Sequence, residues 1–173
     1  MKRTCFGITI SFLALVSWIS LFSPSVASAQ APTVTIDGSR EPDKIPDWIL
    51  WREMYLVAAM LADKSPDKGE EVWVRSVNLT YEHMAQLIEQ GFAFRQEELA
   101  MNQKAKDMAR SGLGRDSLQR ELRQIQADKE HRILEMKELL RQRIGEQAFQ
   151  RMQSFARLHI APTVKVGTIQ AAN

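Results

Sequence analysis

The stretch Met108-Ala109-Arg110-Ser111-Gly112-Leu113-Gly114-Arg115-Asp116-Ser117-Leu118 decides the fold. Two glycines within Ser111–Gly114 separate two long segments that both carry helical periodicity. Gly112 suits a left-handed helix cap, because a residue without a Cβ takes positive φ without strain. Upstream, Leu87, Phe94, Met101 and Met108 recur every seven residues, the spacing of a coiled-coil seam. Ile88, Phe92 and Leu99 lie on a neighbouring face. Asn78 or Thr80 is the expected N-cap, which gives a helix over 80–111. Downstream, Leu118, Leu122, Ile125, Ile133, Met136, Leu140 and Ile144 repeat at helical spacing, interrupted only by Lys129. Asp116 and Gln119 resemble a capping box that opens a helix over 116–144. Each helix is about 40–48 Å long at 1.5 Å per residue. The short connection makes them antiparallel.

Further out, Gly145 breaks the second long helix. A last helix over 146–159 turns Phe149, Met152, Phe155 and Ala156 inward, and Pro162 stops it. On the other side, Pro46-Asp47 opens a first helix. Trp48, Trp51, Tyr55, Ala59 and Ala62 form one stripe of it, and Leu50, Met54, Val57 and Leu61 form a second. So broad an apolar face predicts a helix packed on two sides. Ser65-Pro66-Asp67-Lys68-Gly69 ends it. A short helix over 70–77 then carries Val72, Trp73 and Val77 to the core. The expected fold class is all-α: a long antiparallel helical hairpin with flanking N-terminal and C-terminal helices. One domain covers 46–160, after an extended leader over 30–45 and before a flexible tail over 161–173. Thr33-Val34-Thr35-Ile36 alternates like a strand, but four residues cannot make a sheet alone.

Residues 1–29 read as a secretory signal peptide. Met1-Lys2-Arg3 is basic, Cys5 to Phe22 is apolar, and Ala27-Ser28-Ala29 is an A-x-A cleavage site before Gln30. Export to a bacterial periplasm or to the exterior follows. Cys5, the one cysteine, leaves with the signal, so the mature chain has no disulfide, thiol nucleophile or cysteine metal ligand. Loss of Lys2 and Arg3 brings the charge to 21 basic against 21 acidic side chains. The balance is uneven along the chain. Residues 30–98 carry 13 acidic and 7 basic groups, and residues 99–160 carry 13 basic and 8 acidic. A neutral mature chain does not suit a general nucleic-acid binder. Its acidic half is expected to pack beside its basic half, within one chain or across a homodimer.

No G-x-S-x-G, H-E-x-x-H, Walker A or dinucleotide-binding glycine pattern occurs. No enzyme activity and no cofactor are expected. His83 follows Glu82 and His131 follows Glu130, and these pairs make a metal site the alternative reading. The hairpin offsets the two histidines, which disfavours a shared ion within one chain. Asn78-Leu79-Thr80 matches a glycosylation sequon, but a helix cap also explains it. Trp48, Trp51 and Trp73 suit a core or a groove lining. Methionine recurs on adaptable binding surfaces, and the hairpin is rich in it as well as in arginine. Trp48, Trp51, Met84, Met101, Met108, Arg120 and Arg123 are therefore the candidate client- or partner-binding residues. Core filling is the competing role for the methionines.

Leu79-Thr80-Tyr81-Glu82-His83, opening a long helix in an exported helical chain, resembles the L-T-x-x-Q signature of the LTxxQ-motif (Spy-type) periplasmic proteins. Ile144-Gly145-Glu146-Gln147 resembles a degenerate second copy. Here His83 stands in place of the motif's glutamine, and the second copy has no threonine. The resemblance implies short helices flanking a long hairpin and dimerisation into a curved cradle. It also implies a role as an ATP-independent chaperone, an envelope-stress regulator or a metal binder. The expected function is non-catalytic binding of protein clients or partners in the cell envelope, by a homodimer free of the membrane once the signal is cleaved. The alternatives are a metal-binding or metal-sensing periplasmic protein and a structural subunit of an envelope assembly.

Overall fold

The computed structural model of the chain describes residues 33–169. The expected signal segment, with Cys5, Trp18 and the cleavage site before Gln30, lies outside the described residues.

The hairpin consists of α3 (Tyr81–Arg110) and α4 (Arg115–Ile144). Thr80 caps α3, its Oγ1 accepting from the His83 N–H at 3.1 Å. At the turn Gly112 takes φ 75°, as its lack of a Cβ allows. The expected capping box at Asp116 does not form. The helix begins one residue earlier with Gly114 as N-cap, and Asp116 falls in the first turn, where its charge complements the dipole.

At the other end, α1 (Asp47–Lys64) precedes the short α2 (Pro66–Glu70), and a π-helical turn over Glu71–Ser76 follows. Gly145, at φ 79°, separates α4 from α5 (Glu146–Phe155). A second π-helical turn, Ala156–Ile160, replaces the last turn expected of α5.

Residues 165–169, expected to be loose tail, instead form β2 (Lys165–Ile169). It pairs antiparallel with β1 (Thr33–Asp37), Thr35 opposite Gly167. The alternating leader segment thus finds its partner at the far end of the sequence. Gly38 makes the close approach possible: a Cβ there would stand 1.8 Å from the Ala161 carbonyl oxygen.

The core gathers around α1, both stripes of which are used. Leu50, Trp51, Met54, Tyr55, Ala58 and Ala59 are all fully buried. Trp51 stacks on Phe149 of α5 with ring centroids 5.0 Å apart and planes 5° from parallel. Tyr55 packs on Phe94 of α3 at 6.0 Å and donates its hydroxyl to Gln90 Oε1 at 3.1 Å. Trp73, on the first π-helical turn, meets the edge of Phe155 at 5.5 Å.

The heptad stripe of α3 is buried at Leu87 and Phe94 but only half-buried at Met101 and Met108. Similarly, α4 buries Ile125, Ile133, Met136, Leu140 and Ile144, whereas Leu122 is exposed. The hairpin is therefore longer than the layer that covers it.

Candidate binding surface

Where α1 meets both arms of the hairpin, a cluster of polar groups marks the edge of the core. Arg52 of α1 donates Nε to Glu98 of α3 at 2.7 Å and also pairs with its neighbour Glu53. Burial works against the Arg52 charge, but Glu98 and Glu53 more than offset it and hold its pKa above the usual value. Burial also raises the Glu53 pKa, against the pull of Arg52. Lys129, the residue that breaks the α4 stripe, reaches across to Asn102 Oδ1 at 2.6 Å. Burial lowers its pKa, while Glu98 works in the opposite sense. Next to it, Arg132 grips Glu97 with two hydrogen bonds of 2.7 and 2.8 Å. Those bonds hold the Glu97 carboxyl below the usual carboxylate range.

Beyond this neck the chain changes character. From Leu99 to Gln124 not one residue is buried. Leu99, Leu113 and Leu122 are exposed, and Met101, Met108 and Leu118 are half-covered by the opposite arm. The same 26 residues carry six basic groups (Lys104, Lys106, Arg110, Arg115, Arg120 and Arg123) against the acidic Asp107, Asp116 and Glu121. An open groove of about 620 Å³ runs along this part of α3, lined by residues that include Lys104, Asp107 and Met108. Among the described residues, the two amphipathic helices of the projecting arm have only each other to cover their apolar faces.

The residues expected from sequence to bind clients divide between the two regions. Met101, Met108, Arg120 and Arg123 lie together on the arm. Trp51 does not belong with them: its ring is fully buried between α1 and α5, with no surface for a partner. Trp48 and Met84 are partly buried against the same core.

The structure does not bring the two histidines together. His83 is in the first turn of α3, its Nδ1 buried without a hydrogen-bond partner. His131 stands on the exposed side of α4 with Nε2 3.1 Å from Glu135. Since its neighbour Arg132 binds Glu97, His131 lies level with residue 98, about 22 Å along α3 from His83. Among the described residues no group of three or more His, Cys, Asp or Glu side chains is placed to hold a metal ion. Asn78 of the sequon sits at φ 58°, one of the residue types that tolerate this region, and its carbonyl accepts from Arg151 at 3.0 Å.

Part of the uneven charge is met within the chain. Asp47 of the acidic half pairs with Lys137 and Arg157, Glu97 pairs with Arg132, and Asp37 pairs with Lys165. The basic arm has less acidic company.

The two helices of the arm are legible in the sequence, but the boundary between their covered and uncovered halves is not. The available signal was length: α1 has 18 residues against the 30 of each hairpin helix.

A base of packed helices with a projecting hairpin, beside one short two-stranded sheet, defines an all-α protein. Compared with known proteins, the chain matches no family model, no curated protein and no solved structure. No helix among the described residues is long and apolar enough to cross a membrane.

Proposed function

We propose that this chain is an exported, non-catalytic protein that binds protein clients or partners in the cell envelope through the projecting arm of its hairpin. The supporting observation is the run from Leu99 to Gln124, with no buried residue and with apolar and basic side chains interleaved. Two helices of this length gain little stability from each other alone, because helical stability comes mainly from packing an apolar face. A surface of uncovered leucine and adaptable methionine beside arginine suits apolar segments of other chains that carry acidic groups. The signal-like residues 1–29 supply the compartment in this reading. The test is a client-aggregation assay comparing the protein with a Leu113→Asp/Leu122→Asp variant. Both positions are exposed, so the substitutions should leave the base intact. Suppression of aggregation that weakens in the variant supports the reading. No suppression by the unmodified protein refutes it.

A further inference from the structure

A groove of about 560 Å³ opens on the base between the two π-helical turns. Such turns are rare and recur at functional sites. One wall is the end of the first turn with Val77 and Asn78, and the other carries Phe155, Leu158 and His159. Trp73 ties the walls together through its contact with the edge of Phe155. The His159 ring lies 4.8 Å from that of Phe155, and Leu158 is 70% exposed, so this side of the groove is apolar.

Arg151 of α5 also lines the groove. Its Nε and Nη2 donate to the carbonyls of Val77 and Asn78 at 3.2 and 3.0 Å. These bonds hold the guanidinium in place without neutralising it. Nη1 has no acceptor and the group has no carboxylate partner among the described residues. Arg52, Arg95, Arg132 and Arg157 are half-buried as well, and each of them meets a carboxylate. Arg151 is the exception. None of the residues that line the groove is Asp or Glu. Glu146, at the start of α5, is engaged by Arg141 at 2.5 Å and by Gln150 at 2.6 Å.

We propose that this groove binds a small organic carboxylate with an apolar body. Arg151 takes the carboxylate through Nη1, in the charge-assisted bond that guanidinium and carboxylate form. The body of the ligand lies along Phe155 and Leu158. The volume agrees with a small molecule, since such sites run from about 300 to about 1,000 Å³. The unpaired guanidinium and the absence of acidic lining select an anion, and the apolar wall selects one with an organic body. The inference does not rest on client binding, which uses Leu113 and Leu122 at the far end of the hairpin.

The test is a titration of the protein with phenylpropionate, and separately with the uncharged phenylpropanol, followed by the backbone amide signals in proton–nitrogen correlation NMR spectra. Saturable shifts are expected at Asn78 and around Leu158, with the alcohol bound about tenfold or more weakly, as for loss of a hydrogen bond to a charged group. Arg151→Gln should weaken phenylpropionate binding by a similar factor. That substitution also removes the two carbonyl contacts, so Leu158→Glu provides a second variant. It sets a negative charge at the rim from an exposed position, and it should weaken the acid while circular dichroism stays unchanged. No saturable shift at these residues, equal binding of acid and alcohol, or a Leu158→Glu variant that binds the acid as the parent does would each overturn the proposal.

Discussion

Gly91 lies so close to Tyr55 that a Cβ on it would stand 2.6 Å from the Tyr55 carbonyl oxygen and 3.2 Å from the Ala59 nitrogen. This is the point where α1 crosses α3, and the missing side chain sets how closely they approach. Alanine is the better helix former by about 1 kcal/mol. The obstructing atoms are backbone, however, and they move only if the helix moves. Gly91→Ala should therefore lower stability by about 1–3 kcal/mol, as overpacking does. Urea unfolding checks it, and a variant more stable than the parent would mean that the helices cross more loosely.

Burial separates the two halves of the hairpin quantitatively. Leu87 and Phe94 are 0 and 2% exposed, whereas Leu122 is 37% exposed. Leu87→Ala and Phe94→Ala should each cost about 2–5 kcal/mol, and Leu122→Ala should cost about 1 kcal/mol or less. Denaturant midpoints measured for the three variants under one set of conditions decide this.

The two shifted glutamates should act on stability with opposite sign. Glu97, held by Arg132, has its folded pKa below the usual 4.5, so its contribution is present above that value and lost as pH falls through the folded pKa. Glu53 has its folded pKa above 4.5, so its ionised form weighs against the fold once pH exceeds that value. Glu97→Gln should destabilise near neutral pH, and the difference from the parent should fade in acid. Glu53→Gln should be neutral or stabilising near neutral pH. Melting temperatures across the acid range report both signs.

The pairing of β1 with β2 is a peripheral clasp. Removing the chain from Val164 onward should release β1 and speed its amide exchange to that of an open segment. Amides of α1 and α3 should keep most of their protection. Loss of protection throughout α1 would show that the clasp holds the core together.

The helices were legible because their signals are local. Gly112 and Gly145 punctuate the chain, and the apolar spacing marks the inner faces of α1, α3, α4 and α5. The clasp was only half legible: Thr33–Ile36 alternates like a strand, but its partner β2 lies beyond the whole helical domain and no local signal joins the two. Lys129 reads as a flaw in the α4 stripe and becomes intelligible only with Asn102 and Glu98 beside it at the neck. Trp51 showed the same limit in reverse. Its place on an amphipathic face is equally compatible with core and with groove, and only Phe149 stacked on it decides for the core.

The most direct measurement of the binding account is the rate at which a chemically unfolded client aggregates in the presence of this protein and of the Leu113→Asp/Leu122→Asp variant. The account predicts that the unmodified protein slows aggregation and that the variant, with unchanged helicity and melting temperature, does so much less. Equal protection by both would contradict a role for the projecting arm, and no protection by either would contradict client binding itself.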